Sequence, residues 1–315
     1  MDLNSKIYVA GHRGLVGSAI VRRLKDNGYT NIVHMNRSLL DLRNSNDVNN
    51  FLQLSKPEYV FVAAAKVGGI NHNNTKPAEF LYENIQIQNN LIHYSYKNNV
   101  KKLLFLGSSC IYPKYSQQPI KEEYLLSGQL EETNEAYAIA KIAGVEMCKM
   151  YRRQYNFNAI SAMPTNIYGQ NDNFDLYNSH VLPALIRKFI DAKENKDKSV
   201  TLWGDGSALR EFLYSDDLAD ACILLMNKYN DEQHINVGSN DELSIADIAQ
   251  LISNLVGYSG TIEWDSSYPN GTPRKKLDTS KIDSLGWKQE TPLIDGLKNT
   301  IEWYYSNKRN DFINA

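Results

Sequence analysis

The fold is decided by Ile7-Tyr8-Val9-Ala10-Gly11-His12-Arg13-Gly14-Leu15-Val16-Gly17. Four strand-forming residues run into a glycine turn, and an amphipathic helical pattern follows as far as Leu24. Strand, turn and helix in this order are typical of the first unit of a dinucleotide-binding fold, where the helix N-terminus faces a diphosphate. The spacing G-x-x-G-x-x-G is a weak signal alone, and the flanking strand and helix strengthen it. We therefore predict that Gly11, Arg13, Gly14, Leu15, Val16 and Gly17 form a cofactor loop.

Strand and helix patterns continue to alternate along the chain. Strands are predicted near residues 31–35, 59–62, 102–106 and 158–163, and helices near 45–54, 78–98 and 137–154. This alternation predicts an α/β protein with a Rossmann-type doubly wound parallel sheet. Longer polar connections after residue 165 predict a smaller α/β lobe. We expect a dinucleotide-binding domain over 1–165 and a substrate-binding lobe over 166–315, with some crossing of the chain between them.

Composition excludes several classes of protein. The 315 residues include 34 Lys and Arg against 36 Asp and Glu, so bulk positive charge does not hold the chain on nucleic acid or an anionic membrane. Cys110, Cys148 and Cys222 have neither the number nor the spacing of a disulfide framework or a metal site. Apolar runs stay well below the roughly 18 residues of a membrane span, and the N-terminus lacks a signal-peptide pattern. We expect an unprocessed cytoplasmic protein without a metal.

The end of the second strand indicates which dinucleotide fits. A carboxylate there would bond the ribose 2′-hydroxyl of NAD, whereas arginine accommodates the 2′-phosphate of NADP. The residues are Asn36-Arg37-Ser38, and Arg13 in the glycine loop supplies a second positive group. We therefore predict NADP(H) as the cofactor. Asp41, Leu42 and Ala64 suit packing around its adenine and ribose.

A candidate proton donor lies on the helix predicted at 137–154. Tyr137 and Lys141 are four residues apart and share one helical face, so the ammonium favours the phenolate and makes the phenol a better acid. Tyr-x-x-x-Lys is common by chance. Ser108 adds weight to it, because it follows a strand at the sheet edge where ligands bind. A hydroxyl there would hold a substrate carbonyl beside the phenol.

Glycine loop, strand-end serine and Tyr-x-x-x-Lys in this order resemble the extended short-chain dehydrogenase/reductase family. Arg210-Glu211-Phe212-Leu213-Tyr214-Ser215-Asp216-Asp217 looks like a stretch of its nucleotide-sugar branch. A narrower resemblance, to the GDP-L-fucose synthase group, rests on residues 63–70, 106–114, 137–144, 164–169 and 178–181. Ser108-Ser109-Cys110 and Asn178-Ser179-His180-Val181 are the most specific of these. The resemblance implies a GDP-4-keto sugar as substrate, reduced at C4 and epimerised at C3 and C5.

The same resemblance implies roles for individual residues. Ser108, Tyr137 and Lys141 would form the reductase triad, and Cys110 and His180 the epimerising pair, with the acid and the base not distinguished. A thiol and an imidazole suit proton transfer near neutral pH. Further implied cofactor contacts are Leu106, Gly107, Pro164, Asn166, Ile167 and His180, together with the triad residues Tyr137 and Lys141. Implied substrate contacts are Ser108, Ser109, Cys110, Asn166, Lys188, Trp203, Arg210 and Arg274.

Several expectations stay open at this point. Trp203 could equally be a core strand residue, and Lys275 and Lys276 are expected in solvent because adjacent lysines usually are. A 4-reductase acting on a related GDP-4-keto sugar, such as a heptose, would keep the same cofactor machinery without epimerisation. A redox-silent nucleotide-binding regulator would keep the fold alone. The resemblance also implies a homodimer, formed through the helices near 84–98 and 137–154.

Overall fold

A computed structural model describes residues 1–239, 241–268 and 270–311, with the backbone alone for 308–311. The strands are β1 (Ile7–Ala10), β2 (Ile32–Val33), β3 (Tyr59–Val62), β4 (Lys102–Leu106), β5 (Ala159–Pro164), β6 (Asn166–Tyr168), β7 (Ser199–Trp203), β8 (Leu209–Tyr214), β9 (Ile235–Val237), β10 (Glu242–Ser244), β11 (Thr261–Asp265) and β12 (Arg274–Lys275). The helices are α1 (Leu15–Asp26), α2 (Ser45–Ser55), α3 (Ile70–Thr75), α4 (Pro77–Lys97), α5 (Glu135–Tyr155), α6 (Val181–Asn195), α7 (Ser215–Lys228), α8 (Ile245–Val256), α9 (Ser280–Ser284) and α10 (Leu293–Asp311).

The central sheet has six parallel strands in the order β2-β1-β3-β4-β5-β9. The chain leaves β1 toward β2 and returns on the other side to β3, so the order switches between β1 and β3. Ligands bind outside the carboxyl ends of strands at such a point. The predicted α/β fold class, a doubly wound parallel sheet, is confirmed. The last strand of the sheet, β9, comes from the second half of the chain.

Both faces of this sheet are buried, and alternating residues of β1 show why. Ile7 and Val9 point into a core that contains residues of α1 and α7, whereas Tyr8 and Ala10 point into a core with α2, α4 and α5. Strands covered by helices on both sides read as continuous apolar runs, as β1 and β4 do. The carboxyl ends of the strands are therefore the open edge at which a site can form.

A smaller lobe follows β5. Strand β8 pairs with β6, β10 and β12, and β7 pairs with β11. Its core lies between α6, α8 and α10 and includes Phe189, Ile248 and Leu297. Helices in the described ranges include none that is both long and apolar enough to cross a membrane.

Candidate active site

A cavity of about 1020 Å³ runs along the carboxyl edge of the central sheet and on to the smaller lobe. Its wall includes most residues that the sequence predicts for the cofactor: Gly11, Arg13, Gly14, Leu15, Val16, Arg37, Asp41, Leu42, Ala64, Leu106, Gly107, Tyr137, Lys141, Pro164, Asn166, Ile167 and His180. Ser108, Ser109, Cys110, Lys188, Trp203 and Arg210 line the same cavity. Gly17 lies beneath the glycine loop, and Arg274 lies outside the wall, where it makes an ion pair of 2.8 Å with Glu242. The structure thus brings all but two of the predicted residues to one space.

The glycine loop is shaped for a dinucleotide. Gly11 has a φ of +85°, which favours glycine, and a Cβ there would lie 2.8 Å from the Ala64 backbone nitrogen. A Cβ at Gly17 would lie 2.1 Å from the Gly11 carbonyl oxygen, so this glycine lets α1 pack against the loop. Around Gly14 there is more space, since the nearest atom to a Cβ would be 3.6 Å away. The α1 N-terminus therefore presents accessible backbone to the cavity, as a diphosphate site requires.

Charged residues form the cavity wall after β2. Arg43 holds Asp41 through two parallel hydrogen bonds, Nε–Oδ1 of 2.9 Å and Nη2–Oδ2 of 2.7 Å. These bonds lower the pKa of Asp41 to about 2. Glu83 accepts from Lys66 and Arg43, and the Lys66 bond is the main cause of its lowered pKa. Both carboxylates are therefore ionised at neutral pH, and Arg37 lies 3.7 Å from Glu83.

Tyr137 and Lys141 lie one turn apart at the start of α5, as their spacing predicts. The Lys141 ammonium donates to the Leu106 carbonyl at 2.8 Å and lies 5.7 Å from the centre of the Tyr137 ring. Burial lowers the pKa of Lys141 to about 8 and raises the pKa of Tyr137 above its usual value. Tyr137 is therefore a protonated phenol at neutral pH, and the neighbouring Lys141 is mostly in its protonated, charged form.

Ser108 follows β4 and contacts Cys110. Its hydroxyl accepts a hydrogen bond from the Cys110 backbone N–H at 3.4 Å, which begins a short 3₁₀ turn over Ser109–Ile111. The turn places Cys110 in the cavity wall with 8% of its surface exposed. Burial raises the pKa of the Cys110 thiol, and the Lys275 charge opposes that rise. Strand β4 thus ends in a hydroxyl and a thiol that share the cavity with Tyr137.

His180 reaches the cavity from a different element, the residue before α6. His180 keeps an exposed surface, and the protein atoms around its imidazole lower its pKa by partial desolvation, with the Lys275 charge lowering it further. A neutral imidazole at pH 7 can accept a proton, and a thiol can give one. Cys110 and His180 are therefore a possible proton-transfer pair, and Lys275 acts electrostatically on both of them.

The far half of the cavity offers an aromatic surface and cations. Trp203 is 41% exposed and stacks on Tyr268, with ring centres 4.4 Å apart and planes within 5° of each other. The Lys188 ammonium lies 5.4 Å from the centre of the Trp203 ring. Arg210 donates to the Asn270 carbonyl at 3.3 Å, and burial lowers its pKa. Trp203 is thus a residue of the cavity wall with an exposed face, and it is not a core residue.

Sequence reasoning missed several residues of the wall. The expectation that Lys275 lies in solvent was wrong, because β12 pairs with β8 and carries this side chain into the cavity, where burial lowers its pKa. Arg43 lies two residues after a predicted contact, and that proximity could have indicated it. Glu83 and Asp172 had no sequence signal, and neither had Tyr268, which stacks on the wall residue Trp203. Burial raises the pKa of Asp172 to about 7. Among the described residues, no group of three or more His, Cys, Asp or Glu is placed to hold a metal ion.

Comparisons with known proteins agree with this geometry. The family model for the NAD dependent epimerase/dehydratase family matches residues 7–238. Putative GDP-L-fucose synthase 2 of Arabidopsis thaliana is 58% identical over 307 residues, covering 98% of this chain and 94% of that protein. GDP-L-fucose synthase of Escherichia coli K12 is 47% identical, with 96% and 97% covered. MlghC, a GDP-mannoheptose C4 reductase from Campylobacter jejuni solved with NADP bound, superposes with a TM-score of 0.89 at 43% identity, with 97% and 99% covered.

These matches confirm the predicted resemblance to the GDP-L-fucose synthase group, because two of the relatives carry that name at high identity over almost their whole length. They also confirm that the chain resembles enzymes along almost its whole length. The chain belongs to the NAD dependent epimerase/dehydratase family.

Proposed function

We propose that this protein is an NADP(H)-dependent enzyme that reduces C4 of a GDP-4-keto-6-deoxy-hexose and epimerises C3 and C5, giving GDP-L-fucose or a close relative. One observation carries the proposal: a hydroxyl, a phenol, an ammonium, a thiol and an imidazole share one cavity with a glycine loop. These groups belong to Ser108, Tyr137, Lys141, Cys110 and His180. The names of the relatives support the substrate, and the NADP bound in the Campylobacter reductase supports the cofactor.

The residues of the cavity fit the dinucleotide. Gly14, Leu15 and Val16 would hold its diphosphate at the α1 N-terminus, and Arg13 and Arg37 would hold its 2′-phosphate. When bound, the dinucleotide supplies a hydride to the carbonyl carbon. The protein's own task is to bind, to orient the sugar and to move protons.

In the reduction, Tyr137 gives the proton to the C4 oxygen. An alkoxide is far more basic than a phenolate, so this transfer is favourable even though burial raises the pKa of Tyr137. Ser108 donates a hydrogen bond to the same oxygen and fixes its position. Lys141 then stabilises the phenolate that remains. Its ammonium is oriented by the bond to the Leu106 carbonyl.

In the epimerisation, a C–H bond next to the C4 ketone breaks and its electron pair moves to the carbonyl oxygen. Ser108 and Tyr137 stabilise that enolate by hydrogen bonding. One member of the pair Cys110 and His180 takes the proton, and the other returns a proton to the opposite face of the carbon. The two groups come from different elements, the turn after β4 and the residue before α6, and this origin supports transfer on two faces.

The test is NADPH consumption with a GDP-4-keto-6-deoxy-hexose, followed by absorbance. Tyr137→Phe removes the acid, so we expect the rate to fall by about 10²–10⁴-fold. Tyr115→Phe, on the exposed surface, is the matched control and should keep the rate. Equal rates in Tyr137→Phe and the unmodified enzyme would contradict the proposal. Absence of any NADPH consumption would favour a redox-silent regulator.

A second candidate is a C4-reductase that does not epimerise, acting on a GDP-4-keto-heptose. The similarity to the Campylobacter GDP-mannoheptose C4 reductase favours it. Substrate pose decides between the two, because proton abstraction needs the carbon to lie within reach of the base. Incubation in D₂O without NADPH separates them: deuterium at C3 and C5, lost in Cys110→Ser, supports the epimerase. A substrate that is reduced without exchange supports the second candidate.

We also propose that the protein is a cytoplasmic homodimer. Its three cysteines are free and buried, which suits a reducing compartment. Helices α4 and α5 pack against each other and expose large apolar side chains, including Tyr82, Ile139 and Met150. Exposed apolar residues on neighbouring helices are typical of a protein interface.

A further inference from the structure

Two arginines of the cavity wall converge on one carboxylate oxygen. Arg43 donates to Glu83 Oε2 at 3.2 Å, and Arg37 Nη2 lies 3.7 Å from the same oxygen. The other oxygen of Glu83 accepts from Lys66 at 2.6 Å. All four residues line the cavity just beyond β2, at the end that accommodates the ribose 2′-position in this type of fold.

Arg43 is oriented before any ligand binds. Asp41 engages its Nε and Nη2 edge in two hydrogen bonds, so the remaining nitrogen, Nη1, points to Glu83. Arg37 differs, because its side chain is 78% exposed and its 3.7 Å contact is too long for a hydrogen bond. The Arg43 guanidinium is therefore fixed, and the Arg37 guanidinium is free to move toward an anion.

A phosphate would make better use of both guanidiniums than Glu83 does. A phosphomonoester carries up to two negative charges and three acceptor oxygens, which match paired guanidinium forks, whereas a carboxylate carries one charge. Glu83 keeps a partner when displaced, since Lys66 already holds its other oxygen. The exchange therefore leaves no buried charge without a counter-ion.

We propose that Arg43 is a further specificity-determining residue for the 2′-phosphate of NADP(H), and that Glu83 occupies the phosphate position until the cofactor binds. This inference rests on the proposed function, because it concerns how the same cofactor is recognised. Arg43 and Arg37 together bind the phosphate, and Asp41 positions Arg43. Glu83 competes with the phosphate and lowers the affinity of the site.

Calorimetric titration with 2′,5′-ADP and with 5′-AMP tests the proposal, since the two probes differ by the 2′-phosphate. For Arg43→Leu we expect 2′,5′-ADP to bind about ten-fold more weakly, with 5′-AMP nearly unchanged. For Glu83→Gln we expect 2′,5′-ADP to bind several-fold more tightly, again with 5′-AMP unchanged. Arg153→Leu and Glu232→Gln are matched controls, because they break an exposed ion pair of 2.6 Å away from the cavity wall and should change neither affinity.

Other results of these titrations would contradict the proposal. Equal weakening of both probes in Arg43→Leu would overturn the proposal, because Arg43 would then only support the Asp41 segment. Weaker 2′,5′-ADP binding in Glu83→Gln would show that Glu83 orients the arginines, which also overturns it. Arg43→Lys keeps the charge without the fork and should give an intermediate loss, so the prediction can be tested even if Arg43→Leu does not fold. An unmodified protein that does not prefer 2′,5′-ADP would contradict the NADP(H) assignment itself, which is a separate failure.

Discussion

Lys275 shows how a single charge acts on the proposed epimerising pair. Its ammonium lowers the pKa of the Cys110 thiol and so opposes the larger rise caused by desolvation. It also lowers the pKa of the His180 imidazole, in the same direction as the larger effect of desolvation. A cation favours the thiolate and disfavours the imidazolium. Lys275 therefore makes either group available at lower pH, in its deprotonated form, as the base that takes the proton from carbon, whereas the other group must carry a proton to return it.

We predict that Lys275→Met shifts the pH dependence of deuterium exchange at C3 and C5. Without the positive charge the pKa of Cys110 rises further, so the exchange rate should reach its half-maximum at a higher pH. Lys275→Arg keeps the charge and is the control. The exchange is followed by NMR in D₂O across a series of pH values. A shift to lower pH, or the same profile in both variants, would show that Cys110 does not act as a thiolate under the influence of Lys275.

Local spacing explains which residues of the site were predictable. Tyr137 and Lys141 lie one helical turn apart, so sequence alone placed them together. Lys275 and Arg43 depend on partners far along the chain: the pairing of β12 with β8 places Lys275 in the cavity, and Glu83 lies 40 residues after Arg43. Rules about neighbouring residues do not contain such contacts, and for Lys275 the rule for adjacent lysines gave the wrong answer.

At the scale of elements, the strand–loop–helix unit from β1 to α1 separates packing from binding. Gly17 and Gly14 belong to the same motif and have different surroundings. A Cβ at Gly17 would overlap the Gly11 carbonyl, whereas a Cβ at Gly14 meets its nearest atom at an ordinary distance of 3.6 Å. Gly17 therefore allows the helix to pack against the loop, and Gly14 leaves space for a ligand to approach the backbone.

We predict that two alanine substitutions in this unit affect different properties, one the stability of the protein and the other the binding of NADP. Gly17→Ala should lower the free energy of unfolding by about 1–3 kcal/mol without any ligand, because α1 must shift away from the loop. Gly14→Ala should leave the thermal midpoint of the free protein nearly unchanged and weaken NADP binding. Thermal unfolding of the free proteins and calorimetric titration with NADP measure the two effects. A Gly14→Ala protein that binds NADP normally would show that the dinucleotide does not approach this backbone.

Elements were predictable where local pattern and packing agree. The first four strands and helices α1, α2 and α4 follow apolar runs and helical periodicity, and their bounds differ from the prediction by a few residues at most, whereas the short helix α3 was not predicted. Helix α6 was not predicted, although it carries Lys188. Pro183 lies in its first turn, where a helix needs no N–H donor, and sequence reasoning reads such a proline as a break. Strand β8 was also missed, because its partners β6, β10 and β12 lie far from it in the chain.

At the scale of the whole molecule, the cavity needs elements from both halves of the chain. The central sheet supplies the glycine loop and the end of β4, whereas α6 and β12 bring His180 and Lys275 from the later part. Strand β9 and helix α7 return to the first sheet and its core. Because α5 carries Tyr137 on one side and apolar residues on another, the proposed dimer interface and the proposed proton donor share one helix.

We predict that this shared helix can be used to test the homodimer. Ile139 and Met150 are eleven residues apart on α5, about three helical turns, so they lie on one stripe of its surface. Ile139→Glu places a charge on that stripe and should convert the dimer to a monomer, because burying an unpaired carboxylate costs more than such an interface gains at one position. Light scattering after gel filtration gives the mass. Leu54→Glu, on the exposed face of α2, is the control and should leave the dimer intact. An unmodified chain that elutes with the 35.9 kDa mass of a monomer at all concentrations would contradict the dimer, and loss of the dimer in both variants would place the interface elsewhere.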